Sequence, residues 1–172
     1  MAFKEANYEN AVLGLFTDVL GYTNIYGPNI ERDYHNPLYE DILLSCLARI
    51  NQNLPIEALT EAIYKIKNFE TGTLLQKNMI FTEYLQTGVP VKYFVNDEEH
   101  SGLVYLVDYS NFSNNDFTIA NQWTVIENSE RRADIVLFVN GLPLVVVELK
   151  SPSREETDAS AAYRQLRNYM HE

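Results

Sequence analysis

Residues 132–150 read RADIVLFVNGLPLVVVELK, a stretch with a strong local structural signal. Two apolar runs flank Asn140-Gly141, a residue pair typical of a tight turn between antiparallel strands. The stretch therefore predicts a β-hairpin. After Arg132, charged side chains interrupt it only near its two ends, at Asp134, Glu148 and Lys150.

The pattern outside the hairpin predicts helices in the first half of the chain and strands in the second. The predicted helices cover residues 8–20, 38–50, 56–66 and 74–85, and a last helix begins near Ser153 and includes Tyr169. The predicted strands cover residues 89–95, 103–109, 117–126, 134–139 and 144–149. We therefore expect a mixed α/β (α+β) fold with a helix-rich N-terminal half.

Composition is typical of a folded globular protein, since 46% of the 172 residues are hydrophobic and 12% are aromatic. This length fits one domain, and we predict a single domain over residues 1–172. The net charge of −11 opposes long-range attraction to the phosphates of nucleic acid. Any contact with DNA must therefore be local, assisted by a metal, or supplied by other parts of a larger protein.

Cysteine usage and hydropathy indicate a soluble protein of the cytoplasm. The single Cys46 excludes an internal disulfide framework and is expected to be a small buried helix residue. No apolar run approaches the roughly 20 residues that a membrane span needs. The sequence stops at Glu172, within or just after the last predicted helix, which leads us to expect a fragment of a longer chain.

Glu148 carries the first indication of chemistry. It follows the apolar run of residues 144–147, and a carboxylate in a buried strand costs several kcal/mol unless it is paired or binds a cation. Lys150 lies two residues further on, so in a regular strand both side chains project from the same face.

The position of Asp134 depends on the turn. A regular two-residue turn at Asn140-Gly141 sets Asp134 opposite Val147 and directs Glu148 to the other face. The two carboxylates converge only if the loop holds an odd number of residues, for example a type I turn with Gly141 in a bulge, or if Asp134 lies at a twisted strand start. We expect a bulge or a twist.

Converging carboxylates suit a hard, oxygen-seeking cation. Asp134, Glu148 and the backbone carbonyl of Leu149 could bind Mg²⁺, which keeps several waters and accepts a phosphate oxygen as a further ligand. Lys150 would orient the attacking water or stabilise developing charge, so the arrangement predicts phosphodiester hydrolysis. An incidental surface Asp with a Glu-Lys pair at a strand end fits these three residues equally well.

Two residues of the last predicted helix favour the catalytic interpretation. Gln165 and Tyr169 lie four apart and share one helix face. Together with Asp134, Glu148 and Lys150 they resemble the PD-(D/E)xK nuclease superfamily, in the branch with a QxxxY motif.

Neighbouring residues narrow the resemblance. Residues 85–91, 115–125 and 140–150 are similar to the N-terminal nuclease domain of the R (restriction) subunit of type I restriction enzymes. The likeness covers most of the second half of the chain, and residues 1–53 only loosely. The chain departs from the family at Ala133, where a proline commonly precedes the aspartate.

The resemblance implies a nuclease core in which a mixed central sheet is flanked by helices. It implies that Asp134 and Glu148 bind Mg²⁺ and that Lys150 is catalytic. Gln165 and Tyr169 would position the lysine or contact the DNA backbone. Glu9 of the first helix is a candidate for the additional acid that this superfamily often carries, although a helix N-terminal Glu is equally expected from the helix dipole.

The resemblance also implies partners: double-stranded DNA, and the modification and specificity subunits of a type I complex. ATP would be used only by motor domains that follow the nuclease domain, since no GxxxxGK(S/T) loop occurs here. Basic residues that could meet phosphate cluster around the predicted site, at Arg131, Arg132, Lys150, Arg154, Arg164 and Arg167. The alternative function is a catalytically degenerate nuclease fold that serves as a docking module for motor or methylase subunits.

Overall fold

The computed structural model describes residues 5–70, 72–150 and 159–170, without the side chains of residues 5, 159, 161, 165 and 168–170. Five α-helices lie in the described ranges: α1 (Glu5–Gly14), α2 (Glu40–Ile50), α3 (Ile56–Lys67), α4 (Leu74–Thr87) and α5 (Ala159–Met170). A π-helical turn, Leu15–Val19, continues α1. The strands in the same ranges are β1 (Thr23–Tyr26), β2 (Val89–Val95), β3 (Glu98–Val104), β4 (Phe117–Ile126), β5 (Glu130–Val139) and β6 (Leu142–Val147).

The strands form two sheets, and the class is the mixed α/β fold that the sequence predicts. Four strands make a mixed sheet in the order β1-β4-β5-β6, with β1 parallel to β4 and the other pairs antiparallel. β2 and β3 form a separate antiparallel pair. The chain divides into two compact units, residues 1–39 with 117–172 and residues 40–116. The single domain stays a prediction.

Most of the predicted helices and strands are confirmed. The glycines predicted to end α4 and the first helix are confirmed as well. Gly88 and Gly21 have φ of 93° and 74°, a conformation that glycine adopts at no steric cost. The strand predicted over residues 103–109 is wrong, because the return strand β3 already begins at Glu98. Asn96 and Asp97 both have positive φ and make a two-residue turn, so pairing resumes at once.

Strand β1 was not predicted. It has only four residues, and its two-residue alternation is too short to stand out from the neighbouring loop. Its backbone pairs with β4 from Thr23 opposite Thr118 to Tyr26 opposite Asn121. Long-range hydrogen bonding, rather than local sequence, makes this segment a strand.

The core beside the four-stranded sheet is built around Trp123 and Phe138, whose ring centroids lie 4.8 Å apart. Tyr39 packs against both rings, and the Arg32 guanidinium lies 3.6 Å from the Trp123 ring centroid. Arg32 donates hydrogen bonds to the carbonyls of Asn36 and Thr124. Burial lowers the pKa of Arg32, and its partners in this position are an aromatic face and backbone dipoles.

Cys46 confirms the expectation of a small buried helix residue. It lies on α2 and is 1% exposed, in the unit formed by residues 40–116. Desolvation raises the pKa of its thiol, which keeps the side chain neutral and unreactive.

A loop of the same unit is organised by the carboxylate of Asp108. Asp108 Oδ1 accepts hydrogen bonds from the backbone N–H groups of Ser110 and Asn111, and Oδ2 accepts one from Asn114 Nδ2. These bonds favour the ionised form and hold the pKa of Asp108 below its usual value.

Because the folded-state pKa of Asp108 is lowered, its ionised form contributes stability at pH values above the pKa of the unfolded chain. This contribution is lost as the pH falls through the folded-state pKa. We expect Asp108→Ala to lower the free energy of unfolding at neutral pH, and the difference from wild type to shrink in acid. Urea denaturation at neutral pH and at about pH 3 measures both differences. Asp108→Asn is the matched control, because it keeps an acceptor without a charge; an equally strong acid dependence in that variant would contradict the assignment.

Gly27 is needed where the chain after β1 passes β4. A Cβ added at Gly27 would lie 2.6 Å from the carbonyl oxygen of Gln122, closer than real Cβ atoms come to backbone. We therefore expect Gly27→Ala to destabilise the protein by about 1–3 kcal/mol through overpacking. Gly14→Ala is the control, since its nearest new contact is 3.6 Å away and alanine favours a helix by about 0.5–1 kcal/mol. Thermal unfolding of both variants tests this, and an unchanged midpoint in Gly27→Ala would contradict the close approach.

Candidate active site at the end of the hairpin

The turn between β5 and β6 is the two-residue turn that Asn-Gly predicts. Asn140 and Gly141 have φ of 53° and 81°, as a type I′ turn requires. Next to the turn, Phe138 pairs with Pro143, but further along Leu137 pairs with Val145. Leu144 is therefore an extra residue, a β-bulge in β6. The expected odd-numbered loop is therefore wrong, whereas a bulge, one of the two irregularities expected, is present within β6.

The bulge places Asp134 opposite Glu148 in the pairing register of β5 and β6. Beyond it Ile135 pairs with Val147, so the next positions in the same register are Asp134 and Glu148. The Asp134 carboxylate also reaches this segment directly, because the Leu149 N–H donates a 2.8 Å hydrogen bond to Asp134 Oδ2. The structure thus joins Asp134 to the segment of residues 148–150.

The structure corrects two expectations about Glu148. β6 ends at Val147, so strand alternation does not place Lys150 on the same face as Glu148. β6 is also an edge strand of the four-stranded sheet, and its residues 144–146 are 37–46% exposed. Glu148 is half-buried and does not lie in a buried strand. Its placement therefore carries a smaller desolvation cost than a fully apolar surrounding would impose.

The backbone of β4 is irregular at Gln122, the residue opposite Asp134 on β5. In the β4–β5 register Asn121 pairs with Ile135 and Trp123 with Ala133, which sets Gln122 opposite Asp134. Gln122 has a φ of 57°, a left-handed conformation that is uncommon for a residue other than glycine.

The left-handed residue changes which side chains share a face of the sheet. Ala120 and Trp123 both belong to the buried cluster on one face, although regular alternation would separate residues three apart. Asn121 and Gln122 between them both hydrogen-bond to Glu9, so both lie on the opposite face. Asp134 is the residue opposite Gln122 on the neighbouring strand.

Glu9 is held against the sheet by two amides. Asn121 Nδ2 donates to Glu9 Oε1 at 2.7 Å, and Gln122 Nε2 donates to Glu9 Oε2 at 3.4 Å. Glu9 is half-buried on α1, and its two amide partners lie on β4, the strand next to the one that carries Asp134. Its carboxylate is therefore oriented by the sheet as well as by its place in the helix.

The remaining predicted residues lie on α5 or before it. Gln165 and Tyr169 belong to α5, one helical turn apart, but their side chains lie outside the described atoms. Ser153 and Arg154 lie outside the described residues. The positions of these four side chains relative to Asp134 stay predictions.

The donor chemistry of this region fits a hard cation. It offers the carboxylates of Asp134, Glu148 and Glu9 and the Leu149 carbonyl, all of them oxygen ligands of the kind Mg²⁺ prefers. Within residues 5–70, 72–150 and 159–170, no cluster of three or more His, Cys, Asp or Glu residues is close enough to hold a metal by itself. A cation here would therefore keep several waters, which is the usual state of Mg²⁺ in proteins.

The four-stranded sheet also borders an apolar cavity of about 220 Å³, lined in part by Trp123, Ala133 and Val136. These residues belong to the buried cluster, on the face opposite to Glu9. None of the predicted site residues lines it.

Sequence reasoning gave no role to Asn121 and Gln122. The available signal was a pair of adjacent amides inside the otherwise apolar and β-branched run of residues 117–126. Alternation alone assigns such neighbours to opposite faces, so a shared role could not be read from it.

As for membranes, no helix in the described part of the chain combines the length and hydropathy needed to cross one.

Comparison with known proteins identifies the family. Residues 2–172 match the family model of the type I restriction enzyme R protein N terminus. The chain is 34% identical over 142 residues to the type I restriction enzyme HindI endonuclease subunit of Haemophilus influenzae, covering 81% of this chain and 14% of the relative. It is 31% identical over 163 residues to the putative type I restriction enzyme MjaIXP endonuclease subunit of Methanocaldococcus jannaschii, covering 89% and 16%.

The chain thus spans about a seventh of the length of these curated relatives. The match to the family model covers residues 2–172 and therefore includes every described helix and strand. The chain belongs to the family of type I restriction enzyme R protein N-terminal regions.

Proposed function

We propose that this chain is the Mg²⁺-dependent nuclease domain of a type I restriction complex and hydrolyses phosphodiester bonds of double-stranded DNA. The bulge at Leu144 is the observation that carries the proposal, because it aligns Asp134 with the segment of residues 148–150. A regular hairpin of the same sequence would place Asp134 opposite Val147. The relatives, whose names describe endonuclease subunits, support the same reaction.

In this proposal Asp134, Glu148 and the Leu149 carbonyl hold the cation. Glu9 is the candidate for an additional acid, although no three acidic residues of the described ranges lie close enough to share a metal ion. When bound, Mg²⁺ polarises the scissile phosphate and supplies an activated water. The hydrogen bond from the Leu149 N–H fixes the orientation of Asp134 before any ligand arrives. Lys150 orients the attacking water or stabilises charge on the phosphate, and Gln165 and Tyr169 position the lysine or contact the DNA backbone.

The net charge of −11 bears on how DNA reaches this site. Attraction to the phosphate backbone must come from local basic residues and from the rest of the complex. Arg131 and Arg132 lie on β5, three and two residues before Asp134. We propose that the modification and specificity subunits hold the DNA, that motor domains elsewhere in the R subunit use ATP, and that the complex works in the cytoplasm.

The second candidate is a catalytically degenerate nuclease fold that docks motor or methylase subunits. The edge strand β6 favours it, since Leu144, Val145 and Val146 are 37%, 46% and 40% exposed. An exposed aliphatic edge strand is a common surface for pairing with another chain. The two candidates differ in whether the acidic residues are needed for cleavage.

Cleavage by the assembled enzyme tests the catalytic residues. We expect Glu148→Ala and Lys150→Ala each to lower the rate of DNA cleavage on the order of 100-fold or more, because each removes a group that acts in the chemical step. ATP hydrolysis and assembly with the other subunits should be unchanged. Unaltered cutting in both variants, with folding intact, would rule out the nuclease proposal and leave the docking module.

Metal binding tests the cation site separately from cleavage. We expect Asp134→Asn and Glu148→Gln each to raise the apparent Kd for Mg²⁺ at least ~10-fold, because each removes a charged ligand. Isothermal titration of this chain with MgCl₂ measures the change. Asp97→Asn is the matched control: it removes an exposed carboxylate at a turn whose left-handed backbone asparagine tolerates equally. Equal affinities in all four proteins would contradict the assigned ligands.

A further inference from the structure

The outer edge of β2 has no neighbouring strand in the described part of the chain, where β2 and β3 form a two-stranded sheet. The two-residue turn between these strands makes Val95 and Glu98 a hydrogen-bonded pair. In an antiparallel ladder such pairs alternate with pairs whose backbone N–H and C=O groups point away from the partner strand. Pro90, Lys92 and Phe94 therefore direct their backbone groups to the outer edge of β2.

Two observations at Pro90 agree with this direction. Proline has no N–H and is tolerated in a sheet where the ladder needs no bond from it. The Pro90 carbonyl accepts a 2.8 Å hydrogen bond from Lys65 Nζ of α3, so it points away from β3. The outward groups of Lys92 and Phe94, further along the edge, form no hydrogen bond with any described residue. Such an edge is a template for pairing with another chain.

The same edge forms one wall of a groove of about 450 Å³, and α3 forms the other wall. Glu57, Glu61 and Tyr64 of α3 line the groove and share one helix face, because they lie three, four or seven residues apart. Lys92 and Phe94 line it from β2. The Tyr64 and Phe94 side chains are prominent in it, since these residues are 62% and 61% exposed. A groove along a sheet edge is where many domains bind an extended peptide as an additional strand.

The charges in the groove favour a basic partner. Glu57 and Glu61 form no ion pair with any described residue, whereas Lys92 is paired with Glu99 at 2.9 Å. The exposed ring of Tyr64 offers its face to a cation. Arg combines both interactions, because its guanidinium binds carboxylates through paired N–H groups and stacks on aromatic rings. The groove therefore fits Arg better than an acidic or a neutral side chain.

Strand alternation indicates where such Arg side chains belong. Val89 and Val91 are buried on the face of β2 that packs against α3, and Lys92 and Phe94 lie on the other face. An added strand alternates in the same way, so every second side chain lies beside the glutamates of α3. The remaining side chains lie beside Lys92 and Phe94, where an aliphatic group packs and a second cation is repelled.

We propose that the groove between α3 and the outer edge of β2 binds an extended, arginine-containing segment of a partner protein, which adds to β2 as a third strand. The backbone groups of Lys92 and Phe94 pair with this strand, and Glu57, Glu61 and Tyr64 bind its Arg side chains. The inference does not depend on the proposed nuclease activity, because none of these residues belongs to the candidate active site.

A synthetic peptide tests whether the groove accepts such a strand. The probe alternates Arg and Val, is blocked at both ends and carries a fluorescein label. We expect fluorescence anisotropy to show saturable binding to this chain. A peptide with Glu in place of Arg should bind at least ~10-fold more weakly, because its charges are repelled by the groove.

Two substitutions at Lys92 separate backbone pairing from side-chain contacts. Lys92→Pro and Lys92→Ala both lose the ion pair with Glu99, and only the proline variant also loses the outward N–H. Proline should keep the β2–β3 ladder, as Pro90 does, which far-UV circular dichroism checks. We expect the probe to bind Lys92→Pro about 5–10-fold more weakly than Lys92→Ala, as the loss of one hydrogen bond predicts.

A pair of glutamate variants tests the charged wall without any change of backbone. We expect Glu57→Gln combined with Glu61→Gln to raise the Kd of the probe about 10-fold, because both carboxylates that bind Arg are lost. The matched control combines Glu70→Gln with Glu83→Gln, which removes the same charge at exposed positions outside the groove. Its Kd should stay within about 2-fold of the wild-type value, since exposed charges at a distance are screened.

Several results would overturn the inference. These are no saturable binding of the Arg-Val probe to the wild type, equal Kd values in Lys92→Pro and Lys92→Ala, and equal losses in the two glutamate pairs. Self-association that is lost in Lys92→Pro would show a second copy of the chain in the groove. Spermidine binding that depends on the glutamates alone, with no effect of Lys92→Pro on the probe, would show a site for small cations. Either of these two results would also contradict the proposed partner.

Discussion

The arrangement of the candidate site depends on a shift of one residue in the pairing of β5 with β6. Side chains alternate across a strand, so a pairing that follows the turn without interruption would leave Asp134 opposite Val147. The extra residue Leu144 moves Asp134 to the level of Glu148, and the Leu149 N–H then binds the Asp134 carboxylate. β6 can accommodate the bulge because it is an edge strand of the four-stranded sheet, where only one side must keep a regular ladder.

A second backbone irregularity lies on β4, the strand on the other side of Asp134 from β6. Gln122, opposite Asp134 on β4, has a left-handed backbone that directs two neighbouring amides to Glu9. Each irregularity weakens the sheet locally, and the contacts of Trp123 and Phe138 on the opposite face offset this cost. The regular part of the sheet thus supplies the stability, and its two irregular positions, Gln122 and Leu144, lie beside the acidic residues Glu9 and Asp134.

The acidic character of the chain is consistent with this separation between the stabilising part of the sheet and the part beside the acidic residues. Carboxylates gathered on one face of a sheet repel one another unless hydrogen-bond donors or a cation stabilise them. Backbone N–H and side-chain amides perform the first task at Asp134 and Glu9. A divalent cation would perform the second and would also give a polyanionic substrate a local point of attraction on a chain of net charge −11.

Local periodicity and turn chemistry in the sequence are enough to give the class of fold, the approximate limits of α2, α3 and α4, the Asn140-Gly141 turn and the residue types of the candidate site. Its resemblance also indicated the family that the comparisons establish. Only the tertiary structure decided the pairing of β1, the bulge at Leu144 and the shared face of Asn121 and Gln122. These features depend on backbone contacts between residues distant in the chain, and a two-residue alternation carries no information about where a strand departs from it.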